Sequence, residues 1–444
     1  MTRILNREFD LEAARRLHEE GYLPPVARAL SARGIRDASE LAQDWKSMLP
    51  PAMLEGTREA AERLALARER GERVTVVADY DCDGATACAV AIRGLGMMGV
   101  KADYFVPHRV HHGYGLSCAV VDLLAARTPR PDVLLTVDNG VSSAEAVRHA
   151  AELGIDVIVT DHHLPGAELP PAVCIVNPNL ADSAFPSKAL AGVGVMYYVL
   201  LALRALLRER GVYTQQTQPR LDALVDLVAL GTVADVVKLD KNNRILVAQG
   251  LNRIRLGRTH AGISALFAVA GKKPEAAGVR DFGFALGPRI NAAGRLDTME
   301  NGIECLLADD PVVALDYARS LNDFNAARQE LETEMQQAAE TALSCCNVDS
   351  LATLTLYDGR FNEGVVGLRA HGRRRTEGFG PLDRGRTPAR RARPRLEGPA
   401  RRRPPLRRPR HGRRPHAQER GRPARLPRRL REGRQEHGRR LRLR

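Results

Sequence analysis

Between residues 57 and 344 the apolar positions follow two alternating rhythms. Short unbroken runs rich in Val, Ile and Leu recur at RVTVVAD (73–79), ADYFVP (102–107), DVLLTVDNG (132–140), IDVIVTDHH (155–163) and AVCIVNP (172–178). Their length and β-branched content are those of strands buried on both faces. Between them the spacing turns helical, at about 84–98 and near 142–153, and TREAAERLALARER (57–70) precedes the first run. Strands alternating with helices of this length predict a parallel sheet in an α/β layer fold, because parallel neighbours need crossover connections.

Beyond position 188 the pattern is mostly helical. The apolar stretch 189–203 contains two glycines and stops at Arg204. It is too short to span a bilayer and predicts a buried helix. Residues 312–344 run without Pro or Gly, enough for a connector helix of about 50 Å at 1.5 Å per residue. LATLTLYDG (351–359) then reads as the first strand of a further domain that begins and is not completed. The organisation expected is an N-terminal segment (1–55) broken by LPP and LPPAML, a catalytic α/β domain (56–240), a mainly helical part of the same core (241–311), the connector helix (312–346), the start of an incomplete second α/β domain (347–368) and a tail (369–444). No internal repeat is visible.

The formal charge of +14 suggests a nucleic-acid binder until it is mapped along the chain. Residues 369–444 hold 29 Arg and 6 Asp or Glu, a net +23, which leaves 38 basic and 47 acidic residues before them, a net −9. Any basic groove in the folded part must therefore be local. The tail has ten prolines, nine glycines and no Val, Ile, Met, Tyr or Trp. Such a composition cannot bury enough apolar surface to offset its ordering entropy, so a disordered Arg/Pro-rich tail is expected. It reads as a basic nucleic-acid-binding arm, as a solvated tail, or as out-of-frame translation of a GC-rich gene. The abrupt change after LYDGRFNEGVVGL (356–368) favours the last. Seven cysteines without a C-x-x-C pair argue against a zinc or disulfide framework and for a reducing compartment. No apolar signal core opens the chain, so a soluble cytoplasmic protein is expected, with no membrane partner.

The chemistry gathers where the runs end. DYDCDG brings Asp79, Asp81 and Asp83 together at alternate positions, which in an extended chain share one face. Like charges that close oppose folding unless a cation neutralises them. The stretch matches the start of an EF-hand loop, but position twelve is Val90 rather than Glu, and a strand precedes it instead of a helix. A solvated acidic turn is the plain alternative. VDNG ends in Asp138, TDHH supplies Asp161, His162 and His163, and LVALGTVADVV adds Asp235 after another apolar run. Taken singly, an Asp after a strand is an ordinary cap. In a parallel sheet, however, such ends share the edge where open α/β folds bind ligands. Carboxylates with a histidine or two suit a pair of Mn²⁺ or Mg²⁺ ions, able to activate water and stabilise charge on a phosphoryl group.

DYDCDG, VDNG, TDHH and GTVADVV, in this order, resemble the four motifs of the DHH phosphoesterase superfamily. VPHRVHHGYGLS (106–117), GTVADVVKLDKNNRIL (231–246) and GFALGPRINAAGRLD (283–297) resemble its RecJ-type single-strand-specific exonuclease branch, over about residues 40–368. The resemblance implies a parallel-sheet DHH domain, a helical insertion and a long connector helix to a second, DHHA1-like α/β domain, here truncated. It implies metal-dependent 5′→3′ hydrolysis of single-stranded DNA in recombination and repair. The metal ligands would be Asp79, Asp81, Asp83, Asp138, His162 and Asp235, with Asp138 bridging two ions. His163 would contact the scissile phosphate and Asp161 would orient the histidines. Arg109, Arg280, Arg289, Asn291 and Arg295 would track the DNA phosphates. The partners implied are single-stranded DNA, a single-strand-binding protein and a helicase, the enzyme itself being a monomer.

The chain departs from that family where its second domain should continue, since no Gly/Ser/Arg motif for the DNA 5′ end appears in 369–444. Two other readings stand beside the exonuclease. One is a phosphodiesterase of short oligonucleotides or cyclic dinucleotides, which would not need the long VPHRVHHGYGLS and GPRINAAGRLD segments. The other is a non-catalytic scaffold of a replication complex, which should have lost metal ligands, whereas none of the expected positions is missing.

Overall fold

Among the described residues there are five short strands: β1 (Arg73–Ala78), β2 (Lys101–Phe105), β3 (Val133–Val137), β4 (Asp156–Thr160) and β5 (Cys174–Val176). They make one sheet in the order β2-β1-β3-β4-β5, and every neighbouring pair is parallel. This computed structural model describes residues 7–108, 112–344, 361–362 and 364–365.

The sheet is covered on both sides, which explains why its strands read as unbroken apolar runs. Alternate residues serve different cores. Val74, Val76 and Ala78 join Val133, Leu135 and Val137 in the larger one, while Val77, Leu134, Val157 and Val159 face the smaller. In chain order the helices are α1 (Leu11–Glu19), α2 (Pro24–Ser31), α3 (Thr57–Arg70), α4 (Cys82–Met97), α5 (Cys118–Ala125), α6 (Ala144–Glu152), α7 (Gly192–Glu209) and α8 (Val225–Ala234). α3, α4, α7 and α8 build the larger core, and α5 and α6 the smaller. α1 and α2 pack on each other through Leu17, Ala27 and Ile35.

The chain continues through α9 (Lys241–Arg255), α10 (Ala261–Val269), the single turn α11 (Val279–Asp281), a π-helical segment (Phe282–Leu286), α12 (Gly287–Leu296), α13 (Glu300–Leu307) and α14 (Pro311–Ser344). α14 packs on α10, α12 and α13. Among the described residues its buried positions are Ala314, Ala318, Leu321 and Asn325, all in its first half. The expected connector helix is therefore present as far as Ser344. The strand expected at 351–359 and the tail 369–444 lie outside the described residues. Among the described residues no helix is long and apolar enough to cross a membrane.

Strand register sets up the site. Ala78 pairs with Val137, Val137 with Thr160 and Thr160 with Val176. The next residue of each strand therefore lies in one row across the carboxyl edge: Asp79, Asp138, Asp161 and Asn177. The row is fixed by backbone bonds from Asp138 N to Thr160 O (3.0 Å) and from Asp161 N to Val176 O (3.1 Å).

Candidate metal centre and active-site edge

The three aspartates of DYDCDG do not lie on one extended strand, as alternate spacing suggests. β1 stops at Ala78, and Asp79 stands on the turn. Asp81 is the N-cap of α4 and accepts from Gly84 N at 3.0 Å, while Asp83 lies within the first helical turn. The strand ends early because Asp81 competes for backbone N–H groups and starts the helix. Asp79 and Asp81 converge on Asp138, while the turn carries Asp83 to His162 and Asp235.

Asp83 is wholly enclosed. Its two oxygens accept from Gly192 N (2.7 Å) and Val193 N (3.0 Å) at the start of α7, where helix N–H groups lack intrahelical partners. Asp138 adopts φ 63°, the left-handed region that a non-glycine residue enters at a cost. The Asn139 amide pins that turn by donating to Val77 O and Val137 O. Gly192 lies so close that a Cβ there would sit 2.6 Å from Asp138 Oδ1. Only glycine permits this approach.

From the next strand end, His162 turns its Nε2 toward Asp138 Oδ1 (3.1 Å), Asp235 Oδ2 (3.5 Å) and Asp83 Oδ2 (3.9 Å). Asp235 closes α8, so the fourth acidic position comes from a helix end, and the apolar run before it is a helix rather than a strand. Asp161 accepts from His162 N (2.7 Å), His163 N (3.0 Å) and His163 Nδ1 (2.7 Å) through Oδ1, and from Val141 N (2.9 Å) through Oδ2. With Nδ1 committed to Asp161, His163 presents Nε2 outward. Asn179 and Asn177 donate to the carbonyls of His162 and His163, respectively. Neither asparagine belongs to the site expected from sequence. The VNPN run after the last strand (176–179) is the signal that marks them, since Asn brackets turns of this kind.

Three groups of ligand atoms each fall within 4.8 Å: Asp83, His162 and Asp235; Asp79, Asp81 and Asp138; and Asp138, His162 and His163. Asp138 thus adjoins both sides. Burial first, then neighbouring carboxylates, push Asp79 up to about 7 and raise Asp83 and Asp138 well above the usual carboxylate range. Asp138 Oδ1 is buried and accepts no hydrogen bond among the described residues. A crowd of carboxylate oxygens beside one imidazole fits hard divalent cations such as Mn²⁺ or Mg²⁺. The Cys82 thiol is buried, and burial with three nearby aspartates raises it well above the normal value.

Asp161 behaves oppositely. Burial would raise it, yet the hydrogen bond and charge of His163 and the backbone donors hold it below the usual range. Burial likewise works against a charged His163, but Asp161 and the other carboxylates lift it to about 9.

The five residues expected along the phosphate track end up in different places. Arg109 lies outside the described residues. Arg280 is exposed on α11. Arg289 is half-buried, donating to Asn322 Oδ1 (3.1 Å) and Ala285 O (2.7 Å), so it ties α12 to α14. Asn291 Oδ1 accepts from Cys82 N at 2.7 Å and anchors the first turn of α4. Arg295 Nη1 donates to Gly364 O at 3.1 Å.

Comparison with known proteins agrees with this geometry. Residues 73–232 match the DHH family, N-terminal domain. A solved structure described as exonuclease RecJ bound to manganese is 36% identical, covers 72% of this chain and 76% of its own, and superposes with a TM-score of 0.63. The chain belongs to the RecJ branch of the DHH family. The RecJ from Thermus thermophilus solved with Mn²⁺ is 32% identical with a TM-score of 0.67, covering 81% of this chain and 50% of that one. Among curated RecJ relatives, the single-stranded-DNA-specific exonuclease of Salmonella typhimurium is 48% identical over 357 residues, 78% of this chain and 61% of the relative. The chain thus spans about three-fifths of that RecJ's length.

Proposed function

We propose that this chain is a metal-dependent, single-stranded-DNA-specific 5′→3′ exonuclease. The observation that carries the reading is Asp138, strained, buried and facing two groups of ligand atoms at once. Asp83, His162 and Asp235 would hold one Mn²⁺ or Mg²⁺, and Asp79 and Asp81 the other, with Asp138 shared. Two such ions together supply an activated water and charge stabilisation at the phosphoryl group.

The chain's own residues do the rest. Asp83 is locked by the N–H groups of α7, so its carboxylate cannot swing away when substrate enters. Asp161 fixes the ring of His163 and keeps it charged, leaving Nε2–H to donate to a phosphoryl oxygen or to the departing O3′. Water adds to phosphorus and the P–O3′ bond breaks. The terminal nucleotide leaves with a 3′-hydroxyl and the phosphate stays on the shortened strand. Arg280, exposed on α11, is suited to a phosphate contact. Arg289, Asn291 and Arg295 act mainly by holding α12 against α4, α14 and the Gly364 turn.

The wider role that follows is recombination and repair of DNA in the cytoplasm, by a monomer working with a helicase and a single-strand-binding protein. The test is Mn²⁺-dependent release of mononucleotides from 5′-phosphorylated single-stranded DNA, with Asp138→Ala alongside. Release by the wild type and none by the variant is expected. Equal release by both would overturn the assignment.

A further inference from the structure

The chain turns sharply after Asp235. Val236 adopts φ 61°, the left-handed region, which a β-branched side chain enters only against steric cost. Such strain persists where surrounding structure over-determines it. Here the first turn of α9 supplies that structure. Asp240 caps the helix, accepting from Asn243 N at 2.9 Å. The Asn243 side chain is fully buried. Its Nδ2 donates to Lys238 O (3.0 Å), three residues after Asp235, and to Ala189 O (2.7 Å), three residues before Gly192. Ser187 Oγ adds a parallel tie, donating to Asp240 Oδ2 at 2.7 Å.

Both ties end on one side of the active-site edge. Lys238 belongs to the turn that follows Asp235. Ser187 and Ala189 lie on the approach to α7, whose Gly192 and Val193 N–H groups hold Asp83. Asp83 and Asp235 share one group of ligand atoms with His162. Among the described residues the Asn243 side chain makes no hydrogen bond to the turn carrying Asp79 and Asp81. The residue type fits the task. Two carbonyls facing one point need two donors from a single short side chain, which an asparagine amide supplies and a serine hydroxyl or a carboxylate does not.

We infer that Asn243 is a positioning residue for the ion held by Asp83, His162 and Asp235. Its amide fixes the separation between the turn after Asp235 and the approach to α7, so that Asp83 and Asp235 meet the same ion. The inference rests on the metal-dependent reading and adds to it a residue that serves one of the two ions and not the other.

The test measures Mn²⁺ affinity of the full chain by electron paramagnetic resonance in two backgrounds, each keeping one group of ligands. Asp81→Asn removes a carboxylate beside Asp79 and retains a good helix cap. Asp235→Asn removes one from the other group. Adding Asn243→Ala should weaken Mn²⁺ binding about 10- to 100-fold in the Asp81→Asn background, the usual cost of losing an orienting partner, and leave it unchanged in the Asp235→Asn background. Asn242→Ala removes a buried amide from the same turn, one whose Oδ1 accepts from Leu49 N (3.1 Å) and the Tyr198 hydroxyl (3.0 Å). It should leave both affinities unchanged, which a merely structural role for this turn would not. Equal weakening by Asn243→Ala in both backgrounds, or none in the first, would overturn the inference. Should Asn243→Ala not fold, Ser187→Ala removes the outer tie alone and decides by the same comparison, with about 2- to 12-fold weakening expected in the Asp81→Asn background. A wild type that binds no Mn²⁺ would overturn the ion-site reading and the inference with it, whereas failure of the inference alone leaves both ions bound.

Discussion

Asp138 combines three costs at a single residue: a left-handed backbone, full burial and like-charged neighbours. Strain of this kind amounts to about 1–3 kcal/mol and persists where surrounding structure over-determines it. Replacing it with Asn, which tolerates the same backbone conformation, removes the repulsion and keeps the shape. Asp138→Asn should therefore melt higher than the wild type in chelator, yet gain little from added Mn²⁺. A variant that melts lower in chelator would contradict this account of the row. His163 offers a second test at the same scale. It is charged below about 9 because Asp161 faces it, so activity that needs the charge falls as pH rises through that value. Asp161→Asn takes away the negative partner, and the alkaline limb of the kcat/KM profile should move to lower pH. Activity should drop about 10- to 100-fold, the usual cost of losing an orienting partner. An unmoved limb would separate His163 from the chemistry.

Two close approaches between elements hold the site together, α7 against β3 and α12 against α4. The first depends on Gly192, where a Cβ would meet Asp138 Oδ1 at 2.6 Å. Gly192→Ala should cost about 1–3 kcal/mol, as overpacking does, and weaken Mn²⁺ binding with it. Denaturant midpoints with and without Mn²⁺ read both effects, and a variant indistinguishable from the wild type would remove the close approach from the argument. Here the limits of sequence reading have physical causes. The five strands are legible because burial on both faces leaves unbroken apolar runs, and their aspartate and histidine ends can be placed at one edge from parallel pairing alone. The turn at Asp79–Asp83 reads wrongly as extended, since alternation of charge mimics a strand where a helix cap is at work. Asp235 is visible through its motif, while its place at a helix end depends on tertiary packing. The anchoring by Asn291 joins residues 209 positions apart, a separation that local pattern does not record.

For the whole molecule, the site and the scaffold respond to pH in opposite directions. Asp79, Asp83 and Asp138 have folded pKa values above the unfolded value of about 3.9, so the folded state binds more protons than the unfolded one. Without divalent ions their contribution to stability falls as pH rises from about 4 through about 7, the value of Asp79. Mn²⁺ should reverse this, with a stabilisation of about 2.7 kcal/mol at a hundred times its dissociation constant, growing with pH as the carboxylates ionise. Asp226 shows the contrary case. Burial would raise it, but His260 Nδ1 (2.9 Å) and Thr259 Oγ1 (2.8 Å) hold its pKa down. Its contribution is present above the unfolded pKa and is lost as pH falls below about 4. Melting curves between pH 3 and 9, with Mn²⁺ or with chelator, should therefore diverge on the alkaline side and converge in acid. Parallel curves would contradict the assignment of the row as an ion site.

The central claim is that one edge of the sheet holds two ions bridged by Asp138. Electron paramagnetic resonance of the chain titrated with Mn²⁺ tests it most directly. Two equivalents should bind and give the spin-coupled signal of a pair about 3.5–4 Å apart, and Asp138→Ala should lose the coupling. A single bound ion, or two uncoupled ones in the wild type, would contradict the account.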